Sequence, residues 1–239
     1  MEKFRSISGK QVSMVKIEIS VRRQPSQNEN PYIQSFVYTG DGNLTVADWL
    51  TEINQTETRT NRIAWECGCL EKKCGACAML INGCPALACS QFLKDAGKRG
   101  KIMLEPFRKF PLVKDLIVDR STMFDVMKDM KLWMQEKNSH DFYWDREIQY
   151  KAGQCLQCGC CLEVCPNFLS GNPFAGAAAM VSAYKDMEQN ANDSHCDEMK
   201  QEYQKKFFAY CGQAFSCQSV CPKQLPLDEI QSRINGRFR

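Results

Sequence analysis

Hydrophobic and polar residues alternate with a period of two in two stretches near the N-terminus. Every second residue of 15–21 is Val or Ile, and Lys, Glu and Ser stand between them. This alternation predicts a strand with one buried face. A polar, asparagine-rich turn follows at 25–31, and residues 32–38 predict the antiparallel return strand.

A helix and a hairpin are predicted next. Thr45 has the residue type of an N-cap, Asp48 stands three residues later, and apolar residues follow at helical spacing. Residues 78–81 predict a strand, and Asn82-Gly83 predicts a tight hairpin turn after it. Residues 101–104 predict the strand that closes the sheet.

The second half of the chain has a different pattern. From about residue 140 the apolar spacing is helical, with helices expected near 174–188 and 197–210. The order strand, strand, helix, loop, strand in the first half therefore gives way to a helical second half.

Composition describes an ordinary globular protein of one or two domains, with 239 residues of which 44% are hydrophobic and 25% charged. Lys and Arg are scattered, and the formal charge of +3 is too small to indicate a nucleic-acid partner. No stretch approaches the roughly 18 apolar residues of a membrane-spanning helix. Residues 1–11 lack the apolar segment of a signal peptide. Membrane contact is therefore expected through a partner.

Fifteen cysteines change this picture. A secreted disulfide scaffold is disfavoured, because the number is odd, the chain is long enough to bury a core, and no export signal is visible. Thiolate ligands for soft metal ions fit a reducing compartment better. A zinc-bound structural protein is the weaker alternative, since zinc sites pair CxxC with a second CxxC or with histidines, and the chain has only two His.

The cysteines form three spaced runs. They are C-x4-C-x2-C with a fourth cysteine further on, C-x2-C-x2-C-x3-C-P, and C-x5-C-x3-C-P. Their members are Cys69, Cys74, Cys77 and Cys89; Cys155, Cys158, Cys161 and Cys165; and Cys211, Cys217 and Cys221. Plant-type 2Fe–2S ferredoxins use the first spacing, and bacterial two-cluster ferredoxins use the second.

The predicted fold class is α+β: an N-terminal β-grasp plant-type 2Fe–2S ferredoxin domain at 1–106, and a C-terminal all-α bacterial-ferredoxin-like domain with two clusters at 107–239.

The first run would hold a 2Fe–2S cluster with all four of its cysteines. The C-x4-C spacing selects Cys69 and leaves Cys67 as the weaker alternative. Gly75 would let the backbone approach the cluster. Cys84 is expected to be a small, buried or half-buried side chain.

The second and third runs interlock, because in two-cluster ferredoxins the fourth cysteine of each run binds the other cluster. The predicted ligands are Cys155, Cys158, Cys161 and Cys221 for a 4Fe–4S cluster, and Cys165, Cys211 and Cys217 for its neighbour. Ala214 stands where the third run would carry its middle cysteine, and alanine cannot bind iron, so the neighbour is predicted to be a 3Fe–4S cluster. Pro166 and Pro222 end the ligand turns. Cys160 and Cys196 lie outside the spacing and are not expected to be ligands.

This order of runs resembles the iron–sulfur subunit of succinate dehydrogenases and fumarate reductases, the complex II family. CGACAMLINGCPALAC at 74–89 is similar to that family's C-G-x-C-x-M-x-I-N-G-x-P-x-L-A-C, and FPLVKDLIVDRS at 110–121 is similar to its connector. The likeness spans about 13–228. Two places depart from many succinate dehydrogenases: Gly212 replaces a His, and 168–170 replaces a segment with paired Trp.

The resemblance implies an electron-transfer subunit of a succinate:quinone or quinol:fumarate oxidoreductase. Its partners would be a flavoprotein, which interconverts succinate and fumarate at FAD, and a membrane anchor with a quinone at the junction. Pro166 and Phe168 are expected near the quinone, and this chain would contribute no catalytic residue. The subunit would sit peripherally on the cytoplasmic face of the membrane, or on the matrix side in a mitochondrion.

Two alternatives remain at this point. One is the same subunit of a related flavoenzyme that acts on another organic acid. The other is a free-standing ferredoxin-like carrier. The resemblance leaves open the direction of flux, the quinone type and the haem content of the anchor.

Overall fold

The computed structural model describes residues 14–133, 146–169, 171–189 and 193–238. In the first half, five strands form a single sheet. They are β1 (Val15–Arg23), β2 (Tyr32–Gly40), β3 (Ala78–Ile81), β4 (Cys84–Leu87) and β5 (Lys101–Glu105). The alternation predicted for β1 is confirmed, because Ile17, Ile19 and Val21 are buried.

The sheet has the strand order β2-β1-β5-β3-β4. β1 pairs with β2 in antiparallel orientation, with Val15 opposite Gly40. β5, the strand predicted to close the sheet, lies in its middle, parallel to β1 and antiparallel to β3. Asn82 and Gly83 have φ values of 53° and 77°, as a tight hairpin turn requires. The predicted hairpin is therefore confirmed.

Helix α1 (Val46–Thr56) begins with the predicted cap. The Asp48 N–H donates to Thr45 Oγ1 at 3.1 Å, and the Thr45 N–H donates to Asp48 Oδ2 at 3.0 Å. This reciprocal arrangement satisfies two backbone donors at the helix start. Trp49 on α1 packs edge-on against Phe36 of β2, with ring centroids 5.4 Å apart. The helix is thereby fixed to the sheet, and its C-terminal end leads to the first cysteine run.

A connector follows the sheet and contains a hairpin of β6 (Leu112–Lys114) and β7 (Ile117–Val118). Asp115, at the turn of this hairpin, is buried. Its carboxylate accepts hydrogen bonds from the N–H groups of Gln24 and Ala64, each at 2.9 Å, and lies 3.2 Å from Arg23 Nε. The connector is thus anchored on the first half through a buried, hydrogen-bonded charge.

Helices dominate the rest of the described chain. The α-helices are α2 (Leu93–Ala96) between β4 and β5, then α3 (Ser121–Asp129), α4 (Arg146–Gly153), α5 (Cys160–Val164), α6 (Gly176–Gln189), α7 (Asp193–Tyr203), α8 (Ser216–Ser219) and α9 (Leu227–Phe238). A 3₁₀ turn lies at Ala88–Ser90, and a π-helical turn at Gln204–Phe208 prolongs α7. Within the described ranges, no helix combines the length and hydrophobicity needed to cross a membrane.

An aromatic cluster joins the two halves. Phe107 and Phe110 of the connector have ring centroids 5.9 Å apart, and Phe110 lies 5.7 Å from Phe168, which follows α5. All three rings are buried. The predicted boundary at 106/107 stays a prediction. It falls between the end of β5 and this cluster, so the two halves share core contacts.

Candidate metal centres

The first centre is built from the loop between α1 and β3, in which Leu70, Lys72 and Gly75 have positive φ. These turns point backbone N–H groups at one sulfur, and the donors are Glu71 at 3.3 Å, Lys73 at 3.1 Å and Cys74 at 3.3 Å from Cys69 Sγ. The N–H groups of Glu71 and Lys73 lower the pKa of the Cys69 thiol to about 7, because they stabilise the thiolate. The loop is therefore shaped to hold a thiolate at position 69.

The other three cysteines of this run lie beside Cys69. The Cys69 N–H donates to Cys74 Sγ at 3.4 Å, and the Lys72 N–H donates to Cys89 Sγ at 3.4 Å. Cys77 contacts Cys89, and burial raises the pKa of the Cys77 thiol to about 12. The structure thus brings the four predicted 2Fe–2S ligands together around one loop.

Cys67 and Cys84 are placed differently. Both are exposed, and none of the hydrogen bonds in the described residues directs a backbone N–H at Cys67 Sγ in the way that three are directed at Cys69. Cys67 lines an open groove with Trp65, Arg120 and the proposed ligand Cys74, so only the missing N–H donors separate Cys67 from Cys69. Cys84 begins β4, the edge strand, next to the hairpin turn, so its side chain is exposed and the expectation of a buried or half-buried Cys84 is wrong. The geometry favours Cys69 over Cys67, as the spacing does.

The second centre is a cavity between α5, α6 and the segment before α9, with an empty volume of about 410 Å³ including its mouth. Its lining contains the four predicted 4Fe–4S ligands, Cys155, Cys158, Cys161 and Cys221. Positive φ values at Gln157 and Gly159 turn the chain between these cysteines. The rest of the lining is mainly aliphatic, from residues such as Ala178 and Val181 on α6.

The third centre is a second cavity beside a neighbouring face of α6, with an empty volume of about 440 Å³ including its mouth. Its lining contains the three predicted 3Fe–4S ligands, Cys165, Cys211 and Cys217, together with Ala214 and Pro166. Cys165 belongs to the second run but lines the third cavity, and Cys221 belongs to the third run but lines the second cavity. This exchange is the one that the spacing of the two runs predicts. Phe168 does not line this cavity, since its ring is buried against Phe110.

Cys160 is fully buried at the start of α5 and lines neither cavity. Its side chain is hydrogen-bonded to Cys158, and this bond, followed by burial, raises the pKa of the Cys160 thiol. The same hydrogen bond lowers the pKa of Cys158 to about 7. Cys160 therefore contacts a proposed ligand sulfur without lining a cavity itself. Cys196 lies on α7, apart from all three centres.

The first and second centres touch. A Cβ placed on Gly75 would lie 2.8 Å from Cys158 Cβ and 3.0 Å from the Leu156 carbonyl oxygen. Near this contact, the Arg120 guanidinium ties the connector to the first loop, donating to the Ala76 carbonyl at 2.9 Å and pairing with Glu66 at 3.0 Å. The sequence pattern did not single out Arg120, because nothing local marks an arginine as a bridge between distant loops.

The donor set fits iron–sulfur clusters. Sulfur is the ligand that such clusters take, and N–H groups aimed at the sulfurs are the second shell that tunes them. Among the described residues, no group of three His, Cys, Asp or Glu side chains lies close enough to hold a single metal ion. In 4Fe–4S and 3Fe–4S clusters each thiolate binds a different iron, so the ligands stand farther apart than those of a single ion, and the linings of the second and third cavities carry cysteines from separate segments.

These features define an iron–sulfur electron-transfer protein, and comparison with known proteins agrees. Residues 17–125 match the family described as a 2Fe-2S iron-sulfur cluster binding domain, and residues 151–225 match the 4Fe-4S dicluster domain. The chain is 32% identical to the succinate dehydrogenase iron–sulfur subunit of Bacillus subtilis, covering 92% of this chain and 91% of that one. It is 29% identical to the fumarate reductase iron–sulfur subunit of Wolinella succinogenes, covering 92% and 94%. The chain belongs to the family of iron–sulfur subunits of succinate dehydrogenase and fumarate reductase.

The fold agrees as well. A chain of the Mycobacterium smegmatis Sdh1 complex in the apo form superposes with a TM-score of 0.76 at 22% identity, covering 94% of this chain and 98% of that one. The predicted family, fold class and electron-transfer role in an oxidoreductase complex are thereby confirmed, as are the 2Fe–2S and 4Fe–4S cluster types. The individual ligands and the domain boundary stay predictions.

Proposed function

We propose that this chain carries electrons between an FAD-containing flavoprotein and a quinone at a membrane anchor, using one 2Fe–2S, one 4Fe–4S and one 3Fe–4S cluster. When bound, such clusters exchange single electrons. The observation that carries the proposal is the sorting of seven cysteines into two cavities, with Cys221 joining the second run and Cys165 joining the third. The ligands are those predicted for each centre.

The 3Fe–4S assignment is supported by Ala214. It lines the third cavity together with all three cysteines assigned there. Its methyl group offers no ligand for a fourth iron, whereas the second cavity has a cysteine for each of four irons. The protein therefore distinguishes the two cavities by one side chain.

Exposed apolar side chains around the third cavity support docking of a membrane anchor there. They are Leu169, Phe208, Tyr210 and Phe215. Phe215 also lines the cavity and has a φ of 51°, an uncommon conformation for an aromatic residue. Exposed apolar patches of this kind mark interaction surfaces. Pro166, at the same cavity, is the residue we place near the quinone.

The flavoprotein would dock at the opposite end, over the first centre. Cys74 is exposed on that loop and Leu70 projects from it, so a partner can approach the 2Fe–2S site closely. In this arrangement the subunit is peripheral on the cytoplasmic face of the membrane, or on the matrix side in a mitochondrion. The substrate site lies in the flavoprotein.

Iron analysis and EPR spectroscopy of the anaerobically purified complex test this proposal. We expect about nine irons per chain, no stoichiometric zinc, and the EPR signal of an oxidised 3Fe–4S cluster. Close to ten irons with no such signal would refute the assignment of the third centre. Stoichiometric zinc would refute the proposal as a whole.

A further inference from the structure

Gln231 makes a contact with a proposed cluster ligand that the sequence pattern did not reveal. It lies on α9, is only 6% exposed, and lines the third cavity. Its Nε2 donates a hydrogen bond to Cys211 Sγ at 3.3 Å. The buried face of α9 is otherwise formed largely by apolar residues such as Ile230 and Ile234, so a glutamine here departs from the helix's own pattern.

A buried amide is unfavourable unless its polar atoms find partners. The partner of this N–H is a sulfur that carries negative charge when it binds iron. Hydrogen bonds to cluster sulfurs are one of the means by which a protein sets a reduction potential. A donor stabilises the more negative, reduced state more strongly than the oxidised state, and a poorly solvated site strengthens the effect.

We propose that Gln231 is a positioning residue that raises the reduction potential of the cluster held by Cys165, Cys211 and Cys217. This inference rests on the proposed function. A higher potential at the third centre favours the arrival of electrons beside the proposed quinone site. Because Gln231 acts through Cys211, its effect is measured as a change in the reduction potential of the third cluster.

Asn235 provides a matched control. It is a second buried amide on α9, one turn further along, and its Oδ1 accepts a hydrogen bond from the Tyr203 hydroxyl at 3.0 Å. Neither Asn235 nor Tyr203 lines the third cavity. Asn235→Leu therefore removes a buried amide from the same helix without removing a donor to sulfur.

The test is an EPR-monitored redox titration of the assembled complex carrying Gln231→Met, Gln231→Leu or Asn235→Leu. Both Gln231 variants should shift the 3Fe–4S potential downward and leave the 2Fe–2S potential in the same sample unchanged. Asn235→Leu should leave both potentials at the wild-type value while lowering the melting temperature. The two Gln231 variants differ in shape, so a shared downward shift follows from the lost donor.

An unchanged or raised 3Fe–4S potential in the Gln231 variants would overturn the inference, and so would an equal shift in Asn235→Leu. Loss of the cluster in both Gln231 variants would also overturn it, because Gln231 would then serve assembly. A wild-type complex without a 3Fe–4S signal would instead refute the proposed function, so the two failures are distinguishable.

Discussion

Gly75→Ala tests how tightly the first centre is packed against the second. Gly75 has a φ of +79°, and a Cβ there would lie 2.8 Å from Cys158 Cβ and 3.1 Å from Leu156 Cβ. Gly83 is a matched control, because its φ is +77° and a Cβ there would meet nothing within 4 Å. Both substitutions place an alanine at positive φ, but only the Cβ of Gly75→Ala collides with neighbouring atoms.

The expected magnitudes follow from these two effects. A left-handed conformation costs a non-glycine residue roughly 1–2 kcal/mol, and both variants lose this amount. Overpacking costs roughly a further 1–3 kcal/mol, and only Gly75→Ala meets it. For a chain of this size, 1 kcal/mol lowers the melting temperature by roughly 2–4 °C. Gly75→Ala should therefore melt roughly 2–12 °C below Gly83→Ala.

The assay is thermal unfolding of the cluster-loaded protein, followed by circular dichroism and by loss of visible absorbance. Unfolding with cluster loss is irreversible, so all variants are compared at one heating rate. Gly75→Ala should also slow reduction of the second centre through the first, since the two loops must move apart. Equal melting temperatures for the two variants would refute the close contact of the loops.

Three further substitutions probe the same architecture. Cys69→Ser should abolish or reshape the 2Fe–2S EPR signal and Cys67→Ser should leave it nearly intact; the opposite result would reverse our ligand assignment. Ala214→Cys should convert the third centre toward 4Fe–4S, seen as loss of the oxidised 3Fe–4S signal and added iron, and persistence of that signal would show that a thiol at 214 cannot reach the open corner. Arg120→Met should lower the stability of the folded protein by about 1–3 kcal/mol, because it removes charged hydrogen bonds to the partly buried Gly75 and Ala76 carbonyls, and an unchanged melting temperature would argue that Arg120 does not tie the connector to the first loop.

Features that depend on neighbouring residues were predictable from the sequence. The period of two in β1, the capping box of α1 and the Asn82-Gly83 turn each rest on contacts within a few residues or on one strand partner. Cysteine spacing is equally local, since four ligands must converge from a short loop. These rules were sufficient to identify the family.

Contacts between distant segments were not predictable in this way. The Gln231–Cys211 hydrogen bond joins residues 20 apart, and the bond from Arg120 to the Ala76 carbonyl joins residues 44 apart. Phe168 is a residue whose sequence position alone did not indicate where its side chain lies. Its position after the second run suggested the quinone site, but its ring fills the aromatic cluster that joins the halves. Whether a side chain after a ligand turn points to a cavity or into the core depends on what packs against the turn.

Adjacent Cys160 and Cys161 show how little separates a proposed ligand from a residue that only supports one. Successive helical residues point about 100° apart, and α5 begins at Cys160. Cys161 consequently lines the second cavity, while Cys160 is buried beside Cys158 and is absent from the lining. A thiol in that place can donate a hydrogen bond to a ligand sulfur without displacing any ligand. The C-x2-C-x2-C spacing therefore selects ligands through the direction in which each side chain leaves the backbone, and an additional cysteine one position away leaves that selection intact.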